Sequence, residues 1–104
     1  MAAIFRVLLR MELRPGQAPA FEAAWHDGAR GIAGNPANLG QWLTHVDAEP
    51  DVRYIISDWR DEAGFRAYER SADHRVHRAK LDPYRVRTAM WCGYELAATG
   101  LRSG

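Results

Sequence analysis

The chain has one cysteine, Cys92, and one lysine, Lys80, in 104 residues. A lone thiol cannot close an intrachain disulfide, which argues against a small secreted scaffold held by such bonds. No apolar run approaches the ~20 residues that a membrane-spanning helix needs. The apolar start, Met1 to Leu13, is broken by Arg6, Arg10 and Glu12 and so lacks the uninterrupted core of a signal peptide. Net charge is nearly absent: 14 Lys and Arg against 13 Asp and Glu leave +1. That balance gives no general field for nucleic acid or for an anionic membrane, and neither is expected as a partner. The glycines between Gly28 and Gly40 hold no G-x-G-x-x-G register after a strand, and no other flavin, nicotinamide or phosphate fingerprint is present. Repeats, low-complexity tracts and linkers are missing as well. The expectation is one cytoplasmic domain over residues 1–104, with its core at about 4–96.

What the chain does contain is ordinary for a globular protein, with 47% hydrophobic and 26% charged residues. Phe5, Val7, Leu9, Met11 and Leu13 alternate with polar residues, which predicts a strand over 3–13. Pro15-Gly16 punctuates it. Ala18, Phe21, Trp25, Ala29 and Ile32 recur at helical spacing and predict a helix over 17–32, ended by Gly34, Asn35 and Pro36. Strands follow over 39–46 and 52–59, a helix over about 61–70, a broken turn over 73–80, a loop at Leu81 to Tyr84, and a last strand over 87–97. The order β-α-β-β-α-β is the ferredoxin-like pattern of the α+β class, a four-stranded antiparallel sheet with its helices on one face. Both faces of the predicted sheet carry apolar residues. Trp91 and Ala89 point opposite to Met90, Cys92 and Tyr94, and Ile4 and Leu8 point opposite to the Phe5–Leu13 row. Helices can cover only one face, so the other is expected to meet a second copy in a homodimer.

Candidate functional residues gather where the third strand runs into the second helix. Trp59 ends that strand where a pocket would open, either as core filling or as a face on which a flat ligand stacks. Phe65 and Tyr68 lie one turn apart on one helix face, as a packed stripe or, for Tyr68, as a phenol that hydrogen-bonds a substrate oxygen. His74 is a candidate general base, because imidazole titrates near neutral pH. His77 shares its face, but two histidines with Asp73 and Asp82 nearby fall short of the three or four ligands arranged as a metal site requires, and no metal is expected. Trp25 offers an apolar wall. Asn38 either satisfies turn backbone or touches ligand. Arg85, beside Tyr84, can hold an anionic oxygen by paired bonds or lie in a solvated charge run with Arg87. Cys92 is expected as a small core residue, and Trp42, Trp91 and Tyr54 as divided between core and dimer interface.

Together with the element order, Pro15-Gly16, Asn38-Leu39-Gly40, Asp58-Trp59 and Phe65-x-x-Tyr68-x-x-Ser71-x-x-His74 resemble the antibiotic biosynthesis monooxygenase domains, over roughly residues 4–96. Leu81-Asp82-Pro83-Tyr84-Arg85 looks most like members encoded beside aromatic polyketide synthases. The resemblance implies a dimeric α+β barrel. Some such members oxidise anthrones to quinones with dioxygen and without metal or flavin, others degrade haem, and others cyclise polyketide chains in a similar barrel. Where the quinone-forming members resemble an Asn-x-x-x-Trp pattern, this chain has Ile55 and Trp59, and their helix-two Tyr falls at Phe65. The Asn, Trp and His of haem-degrading members fall at Leu9, Tyr68 and Arg78, which disfavours haem degradation.

The expectation is a cofactor-independent monooxygenase that oxidises an aromatic polyketide of anthrone type, with dioxygen as co-substrate. His74, Tyr68 and Trp59 would carry catalysis, and Trp25, Asn38, Ile55, Phe65, His77 and Arg85 would bind substrate. A polyketide cyclase or aromatase using the same acid–base pair is the alternative, and a non-catalytic protein that binds an aromatic metabolite is a third.

Overall fold

The computed structural model describes residues 3–100. Its elements are β1 (Phe5–Leu13), α1 (Ala18–Ala33), β2 (Asn38–Thr44), β3 (Val52–Trp59), α2 (Glu62–Glu69), α3 (Ala72–Leu81) and β4 (Arg85–Tyr94), with a 3-10 turn at Asp82–Tyr84 leading into β4. The strands lie in the order β2-β3-β1-β4, and every neighbouring pair is antiparallel. This is the ferredoxin-like βαββαβ sheet anticipated from the element order.

Local chemistry explains the boundaries. Gly16 turns the chain after β1 at φ 77°, a value that costs glycine little. A proline in the first turn of α1 presets the helical φ, and the helix buries Ala18, Phe21, Trp25 and Ile32 along one side. Asp61 caps α2 by accepting a hydrogen bond from the Gly64 N–H at 2.7 Å.

The stretch expected as a broken turn over 73–80 is instead the ten-residue helix α3. Its hydroxyl cap at Ser71, Asp73 in its first turn and Arg78 and Lys80 in its last all favour a helix. It buries only His77 and Leu81, so its apolar stripe is too thin to show in the sequence. The last strand runs over 85–94 rather than 87–97.

The sheet face turned to the helices carries Phe5, Val7, Leu9 and Met11 from β1, facing Trp59, Ser57 and Ile55 across the register with β3. Two buried clusters form on it. One holds Trp25 and Phe21 with Met11, Ile55 and Leu81, the other Trp59, Phe65 and Tyr68 with Phe5, Val7 and Ile32, and Leu9 packs against both. Cys92, expected in the core, is exposed. It lies opposite Val7 on the same face, but β4 is an edge strand beyond the cover of the helices.

The other face bears a cross-strand row of Trp42, Ile56, Leu8 and Trp91. Trp91 is 53% exposed and Trp42 is 39% exposed. Tyr54 also lies on this face, where its hydroxyl donates to Glu49 at 2.7 Å and accepts from the Arg10 Nε–H at 3.3 Å. None of the three therefore belongs to the core between sheet and helices.

Candidate functional site

A cavity of about 250 Å³ opens between the helix-covered sheet face and the three helices. It lies just below the ~300–1,000 Å³ usual for ligand pockets, a size suited to one small flat molecule. Val7, Leu9 and Met11 of β1 form its floor together with Ile55 and Trp59 of β3. α1 contributes Trp25 and α2 contributes Phe65 and Tyr68. His74 and His77 of α3 and Arg85 of β4 complete the expected set.

Eight of the nine residues singled out from the sequence thus line one cavity. Asn38 does not. Its amide nitrogen donates to the backbone oxygens of Gly40 and Asp58, both at 3.3 Å, across the register shift that opens β2. It holds the strand in place and its side chain is occupied there.

Trp59 is 1% exposed, and its indole N–H donates to Ser57 Oγ at 2.9 Å. Its polar atom is therefore engaged within the protein, and what remains for a ligand is the ring. That ring stacks on Tyr68 with centroids 5.2 Å apart and meets Phe65 edge to face at 5.4 Å. The three aromatics form a continuous wall.

Tyr68 is 5% exposed, and its hydroxyl has no hydrogen-bond partner. A buried polar group without a partner costs ~1–3 kcal/mol, so such groups are scarce outside functional sites. Burial first, and the charge of Asp73 second, push its phenol up to about 12, so it is a proton donor and not a base near neutral pH.

The His74 ring meets Tyr68 edge to face at 5.2 Å. Desolvation, with the nearby Arg78 cation next, holds its imidazolium pKa below the usual 6.5. His74 is accordingly neutral at pH 7 and able to accept a proton. His77 is pushed down to about 4, by burial and then by His74. Its ring is pressed under α1, where a Cβ added at Gly28 would fall 1.9 Å from Nδ1. The absence of a side chain at Gly28 is what admits the imidazole.

Arg85 lines the cavity with its charge already met. Its Nε–H donates to Asp82 Oδ1 at 2.7 Å, a second nitrogen contacts the same oxygen, and a third donates to Thr88 Oγ1 at 3.1 Å. Among the described residues, no group of three or more His, Cys, Asp or Glu side chains is placed to hold a metal ion.

Three further residues shape the site, and of these the sequence pattern marked only Ser71, within the Phe65-to-His74 motif. Ser57 fixes the Trp59 indole, Gly28 makes room for His77, and Ser71 ties Tyr68 to His74. The spacing of Ser71, three residues before His74, is that of a helix cap and was the available signal.

A sequence profile for the antibiotic biosynthesis monooxygenases matches residues 4–80. No curated protein matches the chain. Among solved structures, SnoaB from Streptomyces nogalater, described as a cofactor-independent oxygenase, superposes with a TM-score of 0.82 at 16% identity, covering 93% of this chain and 97% of its own. A protein from Bordetella bronchiseptica described as an antibiotic biosynthesis monooxygenase gives 0.85 at 14% identity, covering 92% and 100%. A Nitrosomonas europaea protein of unknown function gives 0.79 at 17%, covering 98% and 97%. Identities this low establish a shared fold and no more, whereas the profile match spans most of the chain. The chain belongs to the antibiotic biosynthesis monooxygenase family.

Proposed function

We propose that the protein is a cofactor-independent monooxygenase that converts a flat phenolic substrate of anthrone type, an aromatic polyketide intermediate, into the quinone. The observation that carries this reading is the buried, unpartnered hydroxyl of Tyr68 beside the neutral imidazole of His74, on the wall of one apolar cavity. A weak carbon acid in such a place can be deprotonated by His74 while Tyr68 donates to the ring carbonyl oxygen, where the charge collects. The Trp59, Phe65 and Tyr68 rings, with Ile55, would flank the substrate and limit water.

The substrate anion gives an electron to dioxygen, and the two fragments combine to form a C–O bond and a peroxide. Loss of the second hydrogen from that carbon as the O–O bond breaks leaves a carbonyl on the ring and releases water. One oxygen atom enters the product and the other leaves in water, so no external reductant is needed. Acid–base assistance of this kind is worth ~100- to 10,000-fold per group.

We propose further that the protein acts as a homodimer, its outer sheet face meeting that of a second copy along the Trp42, Ile56, Leu8 and Trp91 row.

The test is oxygen uptake by metal-free protein given anthrone, with quinone absorbance followed in parallel. Uptake that survives chelators, needs no reductant and falls in both His74→Ala and Tyr68→Phe is the expected result. Binding of anthrone with no uptake above the spontaneous rate would move the assignment to a cyclase or a binding protein.

A further inference from the structure

The cavity is lined by two tryptophans, and their indole nitrogens differ in one respect. The N–H of Trp59 is given to Ser57 at 2.9 Å. The N–H of Trp25 has no partner, although Trp25 is 6% exposed and lies on the cavity wall. Trp25 and Tyr68 are therefore two buried donors with nothing to donate to. They occupy different halves of the site, since Trp25 belongs to the cluster with Met11 and Leu81 and Tyr68 to the cluster with Phe5 and Trp59, with Leu9 between. The third unpartnered atom near the cavity, His77 Nδ1, has a different explanation. It faces the Cα of Gly28 at a spacing that leaves no room for a ligand.

We infer that the Trp25 indole N–H is a second anchoring donor, which selects ligands carrying an acceptor oxygen on the edge opposite the one Tyr68 holds. The inference rests on the proposed reading of the cavity as a site for a flat oxygenated aromatic. Helix α1 thereby supplies a specificity group and not only a wall. A ligand with one ring oxygen satisfies a single donor, and a ligand with oxygens on both edges satisfies two. Buried donors penalise any ligand that leaves them empty, which is how polar atoms in an apolar pocket discriminate.

The experiment compares anthrone, with one ring carbonyl, and 9,10-anthraquinone, with two on opposite edges, by calorimetric titration under argon so that no turnover occurs. For the wild type, anthraquinone is expected to bind roughly 5- to 20-fold more tightly, about twofold from its two equivalent orientations and the rest from the second hydrogen bond. In Trp25→Phe the preference falls to about the twofold statistical value, whatever uniform loss the smaller ring causes. In Tyr68→Phe both ligands weaken and the preference also falls to about twofold, because the one donor left, that of Trp25, is satisfied equally by a carbonyl of either ligand. A preference unchanged in Trp25→Phe overturns the Trp25 assignment and leaves the substrate reading standing. Failure of the wild type to bind either ligand overturns both. Should Trp25→Phe not fold, wild-type protein with nitrogen-15 tryptophan decides. The Trp25 indole proton then shifts downfield with anthraquinone and not with anthrone, and no difference between the two overturns the assignment.

Discussion

The rings of Tyr68 and His74 meet edge to face with centroids 5.2 Å apart, and one hydroxyl, that of Ser71, sets their relation. Ser71 Oγ donates to the Tyr68 backbone oxygen at 2.6 Å and accepts from the His74 N–H at 3.1 Å. It ends α2 and starts α3 at once, so the proposed donor and base are held by a single side chain. Ser71→Ala removes a helix cap worth about 1 kcal/mol. It also frees the two rings to move apart, so kcat should fall by more than the loss of stability explains. Ser71→Thr keeps both bonds and should restore turnover. Melting curves and oxygen-uptake rates of the two variants decide, and equal turnover in Ser71→Ala and wild type would show that the tie is only structural.

Tyr68→Phe should separate stability from activity. It removes a hydroxyl that is buried without a partner, and relief of such a group is worth about 1 kcal/mol or more. The variant should melt at the wild-type temperature or about 4–8 °C above it. Turnover should drop by ~100-fold or more if the phenol donates to the substrate oxygen. A large fall in melting temperature would mean that the hydroxyl has a structural partner in solution.

How much of this was legible in the sequence depended on the strength of each pattern. The 52–59 strand is legible to the residue, because Val52, Tyr54, Ile55, Ile56 and Trp59 make it rich in β-branched and aromatic residues and Pro50 and Asp51 precede it. Eight of the nine candidate residues line one cavity because they lie at strand ends and on helix faces that the ferredoxin-like order brings together. α3 was missed because a helix held by a cap, by charges at its ends and by two buried residues leaves no apolar period to detect. Asn38 was placed at a strand opening, but whether its amide would meet backbone or ligand depends on a register shift that no local pattern encodes. The pairing of Ser57 with Trp59 and the seat of His77 under Gly28 are contacts along or between elements that spacing alone cannot rank.

The acid side of the rate profile should belong to His74. Its pKa lies below 6.5, so the neutral, proton-accepting form predominates at pH 7 and is lost as the pH falls through that lowered pKa. kcat/KM should therefore rise from acid pH and level off near neutrality. His77, at about 4, titrates too low to set the first limb, and Tyr68, at about 12, too high to add an alkaline one below pH 10. The limb should persist in His77→Gln and vanish in the residual activity of His74→Ala. A limb unchanged in His74→Ala would assign the base elsewhere.

Stability should also fall in acid, for a different reason. His77 is pushed down to about 4 in the folded protein, against about 6.5 in an unfolded chain. Between these values the unfolded state binds the extra proton, so stability rises with pH across the window, is fully present above 6.5 and is lost toward 4. At about 1.36 kcal/mol per pH unit the whole window is worth on the order of 3 kcal/mol. The paired carboxylates Asp27 and Glu49, held below their ordinary range by Lys80 and Arg10, add a loss only below about pH 4.5. From pH 7 to 4.5 the denaturant midpoint of the wild type should fall by more than that of His77→Gln, which has no imidazole to protonate. Parallel curves would show that His77 does not titrate in the fold.

The outer sheet face supports the proposed homodimer through the kind of charge it carries as well as its apolar row. Arg6 binds Asp58 with two bonds of 2.7 and 2.8 Å, and Arg10 binds Glu49 at 2.7 Å and Glu12 at 3.1 Å. These pairs flank the Leu8 and Trp91 row, so a second copy could cover the face without burying these charges uncompensated. Trp91, half exposed on the edge strand, is the largest side chain left to gain from cover, at ~1.5–3 kcal/mol for a large apolar group. Trp91→Glu replaces that gain with the cost of burying an unpaired carboxylate. Light scattering of the wild type should give twice the 11.8 kDa chain mass, and the variant should give the single-chain mass at the same concentration. Trp91 lies on the sheet face away from the cavity, so anthrone binding per chain should survive in the variant. A dimer that persists in Trp91→Glu would place the interface on some other face.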